Sequence, residues 1–151
     1  MEEKNGGVDV IYTDLTKKAL KLCFHAHKDQ LDKSGLPYVF HPFHLAEQMQ
    51  TEEEILVALL HDVVEDSPVT FEDLALLGMP GRVLEALKLM THNKAVPYME
   101  YVAAIKADPL ARKVKLADLK HNSDTARMDH PSQQDLQRVL KYRSAIALLE
   151  E

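Results

Sequence analysis

The chain has 151 residues, the size of one ordinary domain and too few for two, so we expect residues 1–151 to form a single domain with its core between about residues 9 and 150. Its 24 acidic and 18 basic side chains give a formal net charge of −6, which argues against a nucleic-acid partner but allows a small anionic ligand. Cys23 is the only cysteine, which excludes an intramolecular disulfide and a thiolate zinc site, and the longest apolar run, Ile55 to Leu60, is too short to span a bilayer.

These properties predict a cytoplasmic protein without a membrane partner, and they carry no information on its oligomeric state.

The first predicted element is a long helix, because apolar residues recur at intervals of three and four from Asp9 to Gln30. Residues 32–38 are rich in turn-forming residues and are predicted to be a loop. His41-Pro42 then opens a short helix to about residue 50.

Threonines cap the next two predicted helices. Thr51 and Glu54 have the spacing of a capping box, and the helix that they start is predicted to run to about Val64. Thr70 caps a shorter helix that Gly78 ends.

Prolines mark the starts of the last four predicted helices. These begin at Pro80 and run to about Met90, at Pro97 to about Ala107, at Pro109 to about Arg127, and at Pro131 almost to the C-terminus. No segment alternates with a period of two, so the sequence predicts an all-α bundle of about seven or eight helices.

Four side chains that can bind a metal or move protons lie at and just after the C-terminal end of the predicted helix 51–64. They are His61, Asp62, Glu65 and Asp66. His61 and Asp62 diverge by roughly 100° on a helix, so they can converge only on an atom between them, such as a metal ion. The alternative is a solvated helix end, but carboxylates gathered at a helix C-terminus are unfavourable unless a cation compensates them.

Asp118 lies on or beside the apolar stripe of the predicted helix that starts at Pro109. A carboxylate in that position is costly unless it is paired or bound to a metal. A buried ion pair with a nearby lysine is the alternative explanation. Asn122, one turn later, is expected to face the same pocket and to bond a substrate or a metal-bound water.

His41, at the start of a helix, is by itself compatible with a packed or solvated histidine, which is also the interpretation of the other six histidines. Together with His61, Asp62 and Asp118 it would supply two imidazole nitrogens and two carboxylate oxygens. That set suits a six-coordinate Mn²⁺, Fe²⁺ or Mg²⁺ better than a closed tetrahedral zinc site. An open, water-bearing site implies catalysis.

Three motifs, in order, resemble the HD-domain hydrolases of the Rel/Spo alarmone group and their small single-domain relatives. They are Lys33-Ser34-Gly35-Leu36-Pro37-Tyr38-Val39-Phe40-His41-Pro42, Leu60-His61-Asp62-Val63-Val64-Glu65-Asp66, and Val114-Lys115-Leu116-Ala117-Asp118 with Asn122. The resemblance covers residues 16–149. It implies an all-α HD domain, one Mn²⁺, and a role in the stringent response through hydrolysis of the 3′-pyrophosphate of guanosine tetra- or pentaphosphate.

The resemblance also implies roles for individual residues. The metal would be held by His41, His61, Asp62 and Asp118. The attacking water would be oriented or activated by Glu65 and Asp66. The nucleotide would be met by Lys33, Ser34, Arg138 and Tyr142, with Asn122 in the same pocket.

Two positions depart from the family pattern. Asp32 stands where the long alarmone enzymes carry an arginine that stacks on guanine, and it cannot stack and would repel an anion. Leu119 stands where the family has an arginine beside the metal-binding aspartate, so Lys120 is the nearest base that could reach part of the way.

These departures keep two alternatives open. One is an HD phosphohydrolase that acts on a nucleotide monoester or on the 2′-phosphate of NADPH, and the other is a catalytically silent nucleotide-binding protein. Because the chain ends after the hydrolase module, we expect neither a synthetase nor a regulatory domain.

Overall fold

A computed structural model of the chain describes residues 11–151 and shows that they are all-α, as predicted. The helices are α1 (Asp14–His27), α2 (Phe40–Glu47), α3 (Glu52–Leu60), α4 (Val63–Asp66), α5 (Phe71–Leu76), α6 (Gly81–Met90), α7 (Tyr98–Lys106), α8 (Pro109–Asn122), a 3₁₀ helix (Thr125–Arg127) and α9 (Gln133–Glu150). Within this part of the chain the only β pairing is an isolated bridge between Leu31 and Pro37.

Side-chain caps set several helix starts. The predicted start of the first helix at Asp9 lies outside the described residues. Within them, α1 begins after Thr13, whose hydroxyl accepts from the Thr16 amide at 3.1 Å. The two predicted threonine caps, Thr51 and Thr70, are both present as reciprocal capping boxes.

The predicted helix 51–64 is interrupted at His61 and Asp62. α3 ends at Leu60, Asp62 takes the bridge conformation (φ −109°, ψ 0°), and α4 restarts at Val63 as a single turn. This break raises the number of α-helices in residues 11–151 to nine. It also releases His61 and Asp62 from regular helical spacing, so their side chains can face one point.

The last two helices also differ from their predicted bounds. α8 ends at Asn122 rather than near Arg127, because the Asp124 side chain accepts from the Ala126 amide at 3.0 Å and starts a 3₁₀ turn. α9 begins after Ser132, which forms its own capping box, rather than at Pro131.

α3 is the central helix and packs against α1, α2, α6 and α8. Residues 55–60 are all buried, because a helix that is apolar on every side must be surrounded by others. The C-terminal end of α3, with His61, is therefore held inside the molecule. Cys23 is buried on α1.

Within residues 11–151, no helix combines the length and the apolar character needed to cross a membrane.

Candidate metal centre and substrate cavity

The four predicted metal ligands come from three parts of the fold and converge. His41 lies in the first turn of α2, His61 and Asp62 lie at the α3–α4 junction, and Asp118 lies in α8. His41 Nε2 is 2.8 Å from Asp118 Oδ1. His61 Nε2 is 3.1 Å from Asp62 Oδ2 and 3.5 Å from Asp118 Oδ1. One ligand atom each of His41, His61 and Asp62 lie within 4.8 Å of one another.

The hydrogen bonding of His61 fits a metal ligand. Its Nδ1 lies 2.7 Å from the Ala58 carbonyl oxygen, so this nitrogen carries the proton and donates it to the backbone. Its Nε2 is buried and has no well-aligned hydrogen-bond partner in the described part of the chain. A lone-pair nitrogen aimed at carboxylates, with the opposite nitrogen anchored, is the usual arrangement of a metal-bound histidine.

The charges of the cluster favour a cation. Burial alone would raise the pKa of Asp118, but the Lys115 ammonium, 2.9 Å from its Oδ2, and the two histidines hold that pKa well below its ordinary value. Burial alone would lower the pKa of His61, whereas the Asp62 and Asp118 carboxylates raise it well above its ordinary value. The carboxylates thus attract positive charge to the point where the four side chains meet.

The alternative explanation for Asp118 was a buried ion pair with a lysine. Asp118 forms this ion pair and also belongs to the metal cluster. Lys115 is one turn before Asp118 on α8 and bonds one carboxylate oxygen, Oδ2. The other oxygen, Oδ1, faces the two histidines and accepts from Asn122 Nδ2 at 3.0 Å.

Two residues that the sequence interpretation did not single out support the cluster. Tyr38 donates its hydroxyl proton to Asp62 Oδ2. His121, interpreted as a packed or solvated histidine, instead contacts a predicted ligand, with its Nδ1 2.6 Å from His41 Nδ1. Its position three residues after Asp118, on the same helix face, is the sequence signal that could have identified it.

His121 suits the neutral acceptor role that this contact requires. Burial and the positive charge of Arg127 lower the pKa of His121 to about 4. A neutral His121 accepts the Nδ1 proton of His41, which leaves His41 Nε2 free to face the cluster.

Glu65 and Asp66, the predicted water-activating pair, point in different directions because adjacent residues of a helix are about 100° apart. Glu65 lines a cavity of about 270 Å³ together with Asp118 and Asn122. Asp66 faces the C-terminal end of α1, and its Oδ2 accepts from Nε2 of Gln30, in the loop that follows α1, at 3.3 Å. Only Glu65 of the pair shares a cavity with the metal cluster.

The surroundings of Glu65 raise its pKa above the ordinary value. Burial raises the pKa of Glu65, and the negative charges of Asp62 and Asp66 raise it further. Asp66 therefore influences the site through its charge, although its side chain lies elsewhere.

All of the predicted substrate residues line one cavity of about 370 Å³, which we call the substrate cavity. They are Lys33, Ser34, Asn122, Arg138 and Tyr142. Tyr38 lines the same cavity, which brings it next to Asp62. Arg127, which was not predicted, adds a third cationic side chain to the lining.

Asp32 is compensated by its neighbours. Its Oδ2 lies 3.6 Å from Arg127 Nη2, and its Oδ1 accepts from the backbone amides of Ser34 at 2.9 Å and Leu36 at 3.0 Å. It thereby closes the turn in which Gly35 takes a φ of 82°, a value that favours glycine. The expected repulsion of an anion by Asp32 is thus offset by Arg127.

Leu119 is buried in the core, and Lys120 does not approach the metal cluster. The Lys120 ammonium lies 3.2 Å from Glu150 Oε2 on α9. The expectation that Lys120 reaches part of the way toward the metal cluster is therefore wrong. The base beside Asp118 is Lys115, because it shares the inward face of α8.

Comparisons with known proteins agree with the resemblance seen in the motifs. The chain is 32% identical to the bifunctional (p)ppGpp synthase/hydrolase SpoT of Escherichia coli K12 over 72% of its length. It is 31% identical to the guanosine-3′,5′-bis(diphosphate) 3′-pyrophosphohydrolase of Spiroplasma citri over 87% of its length. These matches cover 18% and 20% of the relatives, so the chain spans about a fifth of their length. No protein-family model matches the chain.

The fold is shared with a solved structure. A metazoan ortholog of SpoT that hydrolyses ppGpp superposes with a TM-score of 0.76 at 23% identity, covering 91% of this chain and 86% of that one. The sequence relatives span most of the chain, and this structure has the same helical arrangement. The chain is therefore a homologue of the HD-type alarmone hydrolases of the Rel/Spo group, the group that its three motifs resemble.

Proposed function

We propose that the chain is a metal-dependent phosphohydrolase that converts guanosine-3′,5′-bis(diphosphate), ppGpp, and water into GDP and pyrophosphate. The observation that carries the proposal is that the predicted ligand set and the predicted substrate residues adjoin, since Asn122 bonds Asp118 and also lines the substrate cavity. Relatives that carry this activity in their names support the choice of substrate.

We assign the metal to His41, His61, Asp62 and Asp118, and we propose Mn²⁺ as the ion, with Fe²⁺ or Mg²⁺ as alternatives. Two imidazoles and two carboxylates leave positions for water on a six-coordinate ion of this class. When bound, the metal supplies polarisation of the phosphate and a lowered pKa for a water molecule.

The side chains of the protein perform the remaining tasks. Lys33 and Arg138 bind the anionic nucleotide, assisted by Arg127, and Ser34 and Tyr142 complete the lining. We propose a small anionic nucleotide as the partner, rather than a nucleic acid. The net charge of −6 repels a long polyanion, so only this local group of bases attracts an anion.

Glu65 is the group that we assign to take the proton from the attacking water. A carboxylate with a raised pKa is a better general base near neutral pH than an ordinary one. Asp66, the second residue of the predicted pair, acts through Glu65 by raising its pKa. The oxygen of the attacking water bonds to the phosphorus of the 3′-diphosphate, the bond between the 3′-oxygen and that phosphorus breaks, and the 3′-oxygen leaves with a proton.

The test is a substrate panel with metal-loaded protein in which pyrophosphate and orthophosphate are resolved. We expect pyrophosphate from ppGpp, and we expect Glu65→Gln to lower kcat by about 10²- to 10⁴-fold, as for the loss of a general base. Glu72→Gln, on the exposed surface of α5, is the matched control and should leave kcat unchanged.

Two results would contradict the proposal. Orthophosphate release from a nucleotide monoester or from NADPH, without turnover of ppGpp, would select the other phosphohydrolase activity. Nucleotide binding by folded, metal-loaded protein without any turnover would identify a catalytically silent binding protein.

We propose a cytoplasmic location for this activity. The single cysteine is buried and unpaired among the described residues, which suits a reducing compartment.

A further inference from the structure

A second cavity lies next to the substrate cavity, and the proposed function does not use most of its lining. We call this cavity of about 270 Å³ the distal cavity; it adjoins the substrate cavity at Asn122 and Tyr142, which line both. Its other lining residues include Glu65, Lys115 and Asp118 of the candidate active site and His92, Tyr98 and Lys141 outside it.

The two lysines of the distal cavity differ in their charge partners. The Lys115 ammonium is paired with Asp118 at 2.9 Å, so its charge is already compensated. The Lys141 ammonium forms no ion pair with an acid of residues 11–151 and instead lies over aromatic rings, 4.5 Å from the centroid of Tyr98 and 5.6 Å from that of Tyr142. Within residues 11–151, no carboxylate competes with an anion for Lys141.

Tyr98 adds a hydrogen-bond donor without a partner. Its hydroxyl oxygen is shielded from solvent and has no hydrogen-bond partner among residues 11–151. Burial raises the pKa of Tyr98 to about 12, so the hydroxyl keeps its proton. A buried hydroxyl without a partner is costly, and a ligand oxygen would satisfy it.

An ammonium without a carboxylate and a hydroxyl without an acceptor are suited to a phosphoryl group, which accepts charge-assisted hydrogen bonds from both. The cavity volume is several times the roughly 30 Å³ that a water molecule occupies, so it accommodates such a group. Its lining includes Asp118 and Glu65, so a phosphate chain attached at the metal cluster would extend into it, away from Lys33 and Arg138.

We propose that Lys141 and Tyr98 bind the terminal phosphoryl group of a diphosphate in the distal cavity and so favour diphosphate over monophosphate at the cleaved position. This inference rests on the proposed function, because it assigns a substrate group to the same site. It makes Lys141 and Tyr98 residues that determine specificity for the 3′-diphosphate group that is released as pyrophosphate.

The kinetic test compares two guanosine nucleotides that share a 5′-diphosphate, one with a 3′-diphosphate and one with a 3′-monophosphate. We expect Lys141→Gln to lower kcat/KM for the 3′-diphosphate by about tenfold, as for the loss of a charge-assisted hydrogen bond. The same substitution should change kcat/KM for the 3′-monophosphate by less than about twofold. Arg143→Gln, two residues later on α9 and outside both cavities, is the control for lost positive charge.

A binding test separates this inference from the proposed function. Calorimetric titration of manganese-loaded protein with inorganic pyrophosphate and with orthophosphate should show about tenfold weaker pyrophosphate binding in Lys141→Gln and Tyr98→Phe, but not in Arg143→Gln. Chelation of Mn²⁺ by pyrophosphate is the same in every sample and cancels in the comparison.

The two experiments together distinguish a failure of the proposed function from a failure of the distal cavity assignment. Weakened pyrophosphate binding in Lys141→Gln without ppGpp turnover by the wild type would support the distal cavity assignment and reject the proposed function. Normal ppGpp turnover with equal pyrophosphate affinity in Lys141→Gln and wild type would overturn the distal cavity assignment.

Discussion

Single hydrogen bonds from residues outside the ligand set hold the metal cluster in place. Tyr38 bonds Asp62, Asn122 bonds Asp118, and His121 bonds His41. Burial and the charge of Asp62 raise the pKa of Tyr38 above its ordinary value, so the hydroxyl remains a donor at any working pH. Such partners fix the orientation of a ligand before the metal arrives.

Removing the Tyr38 hydroxyl should weaken metal binding. We expect Tyr38→Phe to lower the affinity for Mn²⁺ by about 10- to 100-fold, the usual effect of losing an outer partner of a ligand. A competition titration against a chromophoric chelator measures this affinity. Tyr12→Phe, which removes the hydroxyl of an exposed tyrosine, is the control, and equal affinities in the two variants would refute the prediction.

At the level of helices, α3, whose C-terminal end is followed by His61, begins with the capping box of Thr51 and Glu54. Burial alone would raise the pKa of Glu54, but the amides of Gln50 and Thr51 and the Lys113 ammonium outweigh it and lower that pKa. Because the folded-state pKa lies below the ordinary value of 4.5, the Glu54 carboxylate stabilises the fold above that pH. The stabilisation disappears as the pH falls through the folded-state pKa.

Glu54→Ala should therefore destabilise the protein more at neutral pH than in acid. We expect a loss of about 1 kcal/mol in the free energy of unfolding at pH 7, the usual value of a cap, and a smaller difference at about pH 3. Urea unfolding at both pH values measures the difference. Glu52→Ala removes a charge from the same first turn without the cap, so an equal loss in that variant would show that the capping box is not the cause.

Across the whole molecule, the candidate metal site joins distant parts of the chain. Its ligands come from α2, from the junction of α3 and α4, and from α8, which all pack around the buried α3. An ion that binds these groups only in the folded state shifts the folding equilibrium toward that state.

Metal binding should accordingly raise the thermal stability. At a hundredfold excess over Kd the gain is about 2.7 kcal/mol, which for a chain of this length raises Tm by roughly 5–10 °C. Differential scanning calorimetry with Mn²⁺ and with a chelator measures the shift. Asp62→Asn should abolish most of this shift in Tm. A wild-type Tm that does not change when Mn²⁺ is added would contradict the assignment of the ligands.

Local signals in the sequence predicted the helices and the types of residue at the metal cluster. Capping boxes such as that of Thr51, and proline starts such as that of Pro109, depend on contacts within a few residues and need no knowledge of the fold. The ligand candidates stood out because buried or crowded carboxylates need a compensating charge.

These local signals could not predict contacts between distant segments of the chain. The pairing of Asp32 with Arg127, the direction of Lys120 toward Glu150, and the approach of Lys141 to Tyr98 join residues that are far apart in the chain. Each depends on how the helices pack, which local patterns do not specify. The sequence therefore sufficed for the all-α class and for choosing side chains that the fold brings together as a candidate metal site, whereas helix packing established which bases and hydroxyl groups line the adjoining cavities.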